Sequence, residues 1–167
     1  MWLFFKNFIL MILLPGTVTV WLPWFILNHA HVSVRWTLWR ALALLPIVFG
    51  AGILLRCIWD FAVFGRGTLA PIDPPKHLVV RGLYRYVRNP MYVGMVLVVL
   101  GEAWFFKSGA LLVQAAVAFI VVHTFVLFYE EPHLRRRFGR SYASYCQDVN
   151  RWLPRKPKPH NHPNRYV

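Results

Sequence analysis

The sequence predicts an all-α, polytopic membrane protein: a helical bundle with about four transmembrane helices and a C-terminal cytoplasmic helical segment. Two observations predict this class. Hydrophobic residues make up 57% of the 167 residues, and the mean hydropathy is +0.44, which is typical of chains with membrane spans. The 19 Lys and Arg residues oppose only 6 acids. These cations lie between and after the apolar runs, which indicates an anionic membrane surface as the partner and argues against nucleic acid.

Four apolar runs are long enough, or nearly long enough, to cross a bilayer. They cover about residues 2–27, 38–64, 91–106 and 110–129. Pro15-Gly16 predicts a kink in the first run, and Lys107-Ser108-Gly109 predicts a tight turn between the last two. A cleaved signal peptide is the alternative for the first run. Because that run is long and has no clear small-x-small cleavage site, a retained helix is favoured.

The distribution of Lys and Arg predicts the orientation. With four spans, Lys6, five residues of the loop from Arg66 to Arg88 and nine residues after Glu131 share one side of the membrane, whereas Arg35, Arg40 and Lys107 face the other side. The positive-inside rule then places both termini in the cytoplasm, and in a bacterium the membrane is the plasma (inner) membrane.

Composition divides the chain into three regions. We expect residues 1–64 to form an N-terminal transmembrane hairpin and residues 154–167 a basic, Pro-rich, disordered tail. Residues 65–153 between them comprise a cytoplasmic loop, a second transmembrane hairpin and a C-terminal segment, and this is the region expected to hold any catalytic site. His160 and His162 in that tail could bind a metal, but a solvated tail is favoured, and no metal is expected. Cys57 lies in the second span and Cys146 on the cytoplasmic side, so a disulfide between them is improbable.

The segment Val87-Arg-Asn-Pro-Met-Tyr-Val-Gly94 stands where the third helix begins. Pro90 suits the first turn of a helix, and Asn89 before it is a good N-cap. Tyr84 and Tyr92 bring aromatic hydroxyls to the same place. Gly94 and Gly101 share one helical face and would permit close approach of another helix or a ligand. An ordinary capped helix with interfacial aromatic residues is the simpler interpretation.

The second polar segment is Tyr129-Glu130-Glu131-Pro132. Its carboxylates stand at the predicted end of the fourth helix, where the macrodipole disfavours negative charge. Either Arg135, Arg136 and Arg137 neutralise them in salt bridges, or one carboxylate binds a hydroxyl or amine of a ligand. A metal site that includes His133 is disfavoured, because a second well-spaced His or Cys is missing.

Other polar residues fall within the spans. Arg56 and Asp60 are four residues apart and are expected to pair. Glu102 lies towards the outer end of the third span, where it can reach headgroups. His123, about two turns from Glu130, could line a substrate route or form an interhelical hydrogen bond.

The ordered set of motifs resembles a family. The run from His77 to Gly94, then Glu130-Glu131, then Phe138-Gly-x-x-Tyr142-x-x-Tyr145 is similar to the integral-membrane methyltransferases. These include the isoprenylcysteine carboxyl methyltransferases and the phospholipid N-methyltransferases. The resemblance covers roughly residues 76–154, about half of the chain.

This resemblance implies S-adenosylmethionine as methyl donor, bound on the cytoplasmic side. The segment after Glu131 would fold back as a lid, and a lipophilic acceptor would enter from the bilayer. Glu130 would be similar to the family's acid that contacts the adenosine portion. By motif position, the cofactor-binding residues would be Lys76, His77, Leu78, Val79, Tyr84, Asn89, Pro90, Met91, Tyr92, Glu130 and Glu131. The resemblance assigns no catalytic residue and leaves the oligomeric state open.

Two departures bear on the acceptor and on donor binding. The family usually has His where this chain has Asn89, which keeps a hydrogen bond but cannot become cationic. The prenylcysteine enzymes carry an Arg where this chain has Val126. The acceptor therefore stays open among a prenylcysteine carboxylate, a phospholipid amine and a similar small molecule.

Two other functions stay open at this point. Membrane sterol and enone reductases, which use NADPH, share an Arg-x-Pro-x-Tyr entrance, but they follow it with His-x-x-Tyr where this chain has Glu130-Glu131 and Tyr142-x-x-Tyr145. A non-enzymatic membrane scaffold would bind neither S-adenosylmethionine nor NADPH, so neither ligand would stabilise it.

Overall fold

The structure is a computed structural model that describes residues 13–30, 36–64 and 80–156, with the backbone alone for residues 61–64. Most of the described residues are helical and none of them forms a strand; Val87 and Asn150 form an isolated parallel bridge. The helices are α1 (Leu22–Ala30), α2 (Leu38–Phe64), α3 (Pro90–Phe106), α4 (Gly109–Phe125) and α5 (Glu131–Asp148). A 3-10 turn at Gly82–Arg85 precedes α3, and π-helical turns cover Thr17–Trp21 and Val126–Glu130. The predicted all-helical class is confirmed.

Within the described residues, two helical stretches are long and apolar enough to cross a membrane, by length and composition: Leu38–Asp60 and Gly109–Asp148. The helix Pro90–Phe106 is also apolar but shorter. Large apolar side chains stand exposed along the two long stretches, including Leu45 and Phe49 on α2 and Ile120 on α4. Exposed apolar surface of this extent favours contact with lipid. The number of crossings and the orientation stay predictions.

Glycines bring α2 and α3 together. A Cβ atom on Gly94 would lie 2.9 Å from the Gly50 carbonyl oxygen, and one on Gly101 would lie 2.6 Å from Ile47 Cγ1. Helices that touch through glycine can approach until their backbones are in contact. The close approach predicted from Gly94 and Gly101 is confirmed, and the neighbouring helix is α2. Met91, Met95 and Val98 of α3 pack there against Leu54 and Cys57.

The N-terminal segment differs in detail from its prediction. Gly16 keeps helical dihedral angles, with φ −62° and ψ −38°, and the irregularity follows it as the π-helical turn Thr17–Trp21. The helix then continues to Ala30, past the predicted end at Leu27. The Gln114 amide of α4 donates to the Val18 carbonyl at 2.8 Å, which ties α4 to this turn. Residues 1–12 of the first predicted run lie outside the described residues.

The predicted end of the fourth helix at Tyr129 is wrong. The chain stays helical through the π-helical turn Val126–Glu130 and enters α5 directly. Glu131 is the first residue of α5, but its N–H still donates to the Val126 carbonyl, so no free helix end lies beside the two carboxylates. Further along, α5 bends at Gly139, whose φ of 50° and ψ of −120° are open to glycine and strained for other residues.

Candidate functional site

Tyr84, Tyr92 and Glu130 meet where the 3-10 turn, the start of α3 and the π-helical turn after α4 converge. The Tyr92 hydroxyl donates to Glu130 Oε2 at 3.4 Å. The Tyr84 hydroxyl shares a hydrogen bond with the Cys57 thiol, and its pKa is raised well above the usual range by burial, then by Cys57 and Glu130 nearby. Both rings pack against the apolar cluster between α2 and α3. The sequence-predicted pair of tyrosines therefore shares one pocket with Glu130.

Glu130 is a partly buried carboxylate beside Tyr92. In the described part of the chain, no Lys, Arg or His side chain forms an ion pair with it. It follows the apolar run that ends at Tyr129. Burial raises its pKa to about 7; the Tyr92 hydrogen bond lowers the pKa and the charge of Glu131 raises it. A buried carboxylate of this kind becomes more stable when a cation or hydrogen-bond donors reach it.

Glu131 has the opposite environment. Arg151 Nε donates to its Oε1 at 2.6 Å and Arg151 Nη2 to its Oε2 at 2.9 Å, while Arg88 Nη1 donates to Oε1 at 2.9 Å. Burial would raise the pKa of Glu131, but the hydrogen bonds from Arg151 and the charges of Arg88 and Arg151 lower it below its usual value. Bidentate pairing of this kind fixes geometry as well as charge. Glu131 thus serves as an internal ion-pair partner.

One of the two alternatives, neutralisation of the acids by Arg135, Arg136 and Arg137, is wrong for Glu131. These three side chains are exposed on α5, and the ion pairs of Glu131 go to Arg88 and Arg151. The chain returns after α5 and places Arg151 next to Glu131, in the first turn of that helix, so Arg151 forms the ion pair in place of the three exposed arginines. Arg135 adds only a minor lowering of the pKa of Glu131.

The segment of residues 149–155, named here the C-terminal strap, lies against the entrance to α3. The Arg88 N–H donates to the Asn150 carbonyl at 2.9 Å, and the Arg155 N–H donates to the Tyr86 carbonyl at 2.9 Å. The Asn89 side-chain amide donates to the Arg151 carbonyl at 3.3 Å. Asn89 occupies the N-cap position without a side-chain capping bond, and its Nδ2–H donates to the strap instead. A fold-back of the chain after Glu131 is therefore present.

Two buried tyrosines anchor this arrangement from α5. Tyr142 and Tyr145 pack with Val149, and Val80 lies against them. The Tyr145 hydroxyl donates to the Tyr84 carbonyl at 2.7 Å, which connects α5 to the 3-10 turn. The motif residues Tyr142 and Tyr145 thus hold the strap and the turn together from behind the pocket.

The remaining predicted residues divide into two groups. Pro90 is buried in the first turn of α3, as predicted. Met91 is part of the apolar cluster between α2 and α3. Neither residue forms a hydrogen bond or an ion pair with Glu130 in the described structure. Lys76, His77, Leu78 and Val79 lie outside the described residues.

Sequence reasoning missed Arg88, Arg151 and Trp152. Arg88 was inside the motif, but its role depends on a partner more than forty residues away, at Glu131. Arg151 and Trp152 follow α5 in a stretch with no periodicity. The sequence shows only that a basic and an aromatic residue stand directly before the Pro-rich tail. That pattern does not predict which residues their side chains contact. The expected pair of Arg56 and Asp60 is confirmed at 3.2 Å.

A family profile described as phospholipid methyltransferase matches residues 38–141 of the chain. This match covers α2, α3, α4 and the first half of α5, which are the elements that bring Tyr92 and Glu130 together. The chain belongs to the phospholipid methyltransferase family. The likeness to methyltransferases predicted from the motifs is confirmed.

Individual relatives agree with the family. A phosphatidylethanolamine N-methyltransferase of Aspergillus terreus is 31% identical over 68% of this chain, and one of Penicillium rubens is 32% identical over 68%. A phosphatidylethanolamine N-methyltransferase of Phaeosphaeria nodorum is 30% identical over 72%. The matched regions are 13%, 13% and 16% of those proteins. The chain thus corresponds to a small part of each of these relatives.

Proposed function

We propose that this protein transfers a methyl group from S-adenosylmethionine to the amine of a phospholipid of the phosphatidylethanolamine class. Membership of the phospholipid methyltransferase family supports the reaction class. The observation on which the proposal rests is the Glu130 carboxylate, which lies partly buried beside Tyr92 and forms no ion pair with any described side chain. S-adenosylmethionine is a cationic, hydroxyl-rich donor, and it would supply the electrophilic methyl group.

The residues present fit such a donor. Glu130 makes one long hydrogen bond, at 3.4 Å, and a carboxylate has room for several more. Hydroxyl or amine groups of the donor would occupy that capacity, and a cationic ligand would offset the cost of burying the charge. Tyr84 and Tyr92 provide aromatic walls with hydroxyl groups at the same place. Asn89, fixed by the Arg151 carbonyl, presents its amide oxygen at the edge of the strap.

Glu131 is proposed to support the site without direct contact with the donor. Its oxygens are already bound by Arg88 and Arg151, so it holds the strap over the start of α3. This closure would exclude water from the pocket, and positioning with exclusion of water supplies much of the acceleration of a direct group transfer. Lys76, His77, Leu78 and Val79 are proposed from motif position alone.

A phospholipid amine is the preferred acceptor over a prenylcysteine carboxylate. Val126 is aliphatic and 1% exposed, so at this position the chain offers no cation to bind an acceptor carboxylate. An amine acceptor needs no such cation. The acceptor is proposed to enter laterally from the bilayer, at the cytoplasmic end of the helices.

The test is the affinity for S-adenosylhomocysteine of the purified chain in detergent. Glu130→Ala is expected to weaken binding about 10- to 100-fold, because one to two hydrogen bonds to a charged group are lost. Glu130→Gln should be intermediate, since an amide oxygen still accepts. The matched control is Glu102→Gln, on α3 outside the pocket, which should leave the affinity unchanged.

Methyl transfer from labelled S-adenosylmethionine to phosphatidylethanolamine in mixed micelles completes the test. Undetectable binding of S-adenosylhomocysteine to the native protein would refute the function. Unchanged binding by Glu130→Ala would refute the role of Glu130. Donor binding with transfer to a different lipid would refute the acceptor alone.

A further inference from the structure

Trp152 of the strap reaches over α4 and contacts His123. The indole Nε1–H donates to His123 Nδ1 at 3.0 Å. The indole ring also meets the Phe119 ring edge-on, with centroids 5.2 Å apart. Phe119, His123 and Trp152 therefore form one cluster, which joins the strap to a helix that is otherwise apolar. Nothing in donor binding as proposed above uses this cluster.

The hydrogen bond decides where the imidazole carries its proton. An indole N–H can only donate, so Nδ1 of His123 is the accepting nitrogen and the ring proton is on Nε2. His123 is thereby left with one N–H donor on the side of the ring away from Trp152. A fixed tautomer of this kind turns a histidine into a directional hydrogen-bond donor.

The place of this donor on α4 is unusual. Among residues Gly109–Phe125 only Gln114, His123 and Thr124 carry side-chain N–H or O–H groups, and Gln114 is bound to the Val18 carbonyl. His123 and Glu130 are seven residues apart, with the π-helical turn Val126–Glu130 between them, so roughly two helical turns separate them along the axis. His123 thus lies further into the apolar stretch than Glu130, and the strap links the two places, because Trp152 binds His123 and the adjacent Arg151 binds Glu131.

We propose that His123 is a specificity-determining residue that donates from Nε2 to a phosphate oxygen of the acceptor phospholipid, and that Trp152 is the positioning residue that holds it. This inference rests on the proposed function. An amine phospholipid carries its phosphate on the membrane side of its amine, so a lipid whose amine approaches the Glu130 pocket presents its phosphate towards the membrane-facing part of α4. There a neutral N–H donor would meet an anionic acceptor, which makes a strong type of hydrogen bond.

The test compares binding of two lipids by variants of the full chain in detergent, with S-adenosylhomocysteine present. The probes are lysophosphatidylethanolamine, which has the phosphate, and dodecylamine, which has an amine and an apolar tail alone. His123→Leu is expected to weaken binding of lysophosphatidylethanolamine about tenfold. Trp152→Phe should weaken it about two- to fivefold, because an aromatic ring remains at position 152 while the hydrogen bond that fixes the His123 tautomer is lost. Neither variant should change the affinity for dodecylamine.

Two further variants separate this role from a purely structural one. His123→Gln keeps one accepting and one donating group, so it should restore most of the lipid affinity that His123→Leu loses. Trp39→Phe is the matched control at an exposed tryptophan of α2 and should bind both probes as the native protein does. In methyl-transfer assays the expected signature is a raised KM for phosphatidylethanolamine with an unchanged Kd for S-adenosylhomocysteine.

Each outcome has one meaning. Equal losses for the two probes, or a loss of donor affinity in His123→Leu and Trp152→Phe, would overturn the proposal, since the cluster would then only hold the strap. Unchanged lipid affinity in His123→Leu would overturn it as well. A native protein that binds lysophosphatidylethanolamine through His123 but binds no S-adenosylhomocysteine would leave this contact standing and would refute the proposed methyl transfer instead.

Discussion

Replacing Arg151 by Met tests whether the Glu131 ion pairs stabilise the strap. The substitution keeps an unbranched apolar stem and removes two hydrogen bonds, of 2.6 and 2.9 Å, to a carboxylate whose side chain is 7% exposed. Breaking a buried ion pair from one side costs about 3–5 kcal/mol, because a charge is left uncompensated. Here Arg88 remains as a partner and Arg151 itself is 27% exposed. We therefore expect a loss of about 2–3 kcal/mol in the free energy of unfolding.

The assay is thermal unfolding in detergent, followed by circular dichroism. For a chain of this size, 1 kcal/mol corresponds to about 2–4 °C in Tm, so Arg151→Met should lower Tm by roughly 4–12 °C. The matched control is Arg155→Met. The Arg155 side chain makes one exposed hydrogen bond, to the Gln147 carbonyl at 3.2 Å, so its loss should resemble an ordinary surface substitution.

A double-mutant cycle identifies the cause. In a Glu131→Gln background the buried negative charge is absent, so Arg151→Met should cost less than about 1 kcal/mol. If Arg151→Met lowers Tm no more than Arg155→Met, the ion pair contributes nothing and the strap is held by its backbone hydrogen bonds. If its cost is the same with and without Glu131, the effect of Arg151 does not pass through that carboxylate.

Two other predictions follow from the same structure. Gly94→Ala should destabilise the chain by about 1–3 kcal/mol through overpacking, because the new Cβ would lie 2.9 Å from the Gly50 carbonyl oxygen. The control, Gly52→Ala, has open space around it and should be neutral or slightly stabilising. Equal effects of the two substitutions in chemical denaturation would contradict the close approach of α2 and α3. The second concerns pH. Burial raises the pKa of Glu130 to about 7, so the carboxyl is protonated below that pH, and its ionisation costs stability as pH rises from its usual pKa towards 7. Because an ionised carboxylate accepts hydrogen bonds from the ligand's hydroxyl and amine groups more strongly than a protonated one, the ratio of S-adenosylhomocysteine affinities of native protein and Glu130→Gln should rise with pH through about 7. A ratio independent of pH would exclude Glu130 as the titrating group.

Much of the helical architecture was predictable because its signals are local. The apolar runs predict α2, α3 and α4 directly, and Pro90 marks the first turn of α3. Gly94 and Gly101 correctly indicate a close helix contact, because glycines on one helical face leave room for a neighbouring backbone. The end of the fourth helix was wrong because the paired acids were taken as a terminus. The sequence there has no helix breaker: Pro132 falls in the first turn of α5, where proline is tolerated.

The division of labour between Glu130 and Glu131 was not predictable from the motif. Both acids stand next to each other in sequence, yet consecutive helical residues point about 100° apart. One therefore faces Tyr92 and the other faces Arg88 and Arg151. The partner that decides this, Arg151, comes from a segment with no periodic pattern. A single sequence does not show which distant residues pair with each other. It does show the aromatic and acidic residues that border the pocket, because they lie in short local motifs.

The strap connects the two proposed halves of the site, and this has a consequence for their coupling. Asn89 and Glu131, beside the donor pocket, bind residue Arg151, and His123, further into the apolar stretch, binds the adjacent Trp152. A displacement of the strap would therefore disturb donor binding and acceptor binding together. Binding of either ligand to the closed strap would favour the other, and the same factor must appear in both directions. If the strap couples the two sites in this way, S-adenosylhomocysteine should increase the affinity for lysophosphatidylethanolamine in the native protein. Arg151→Met should reduce this increase in affinity.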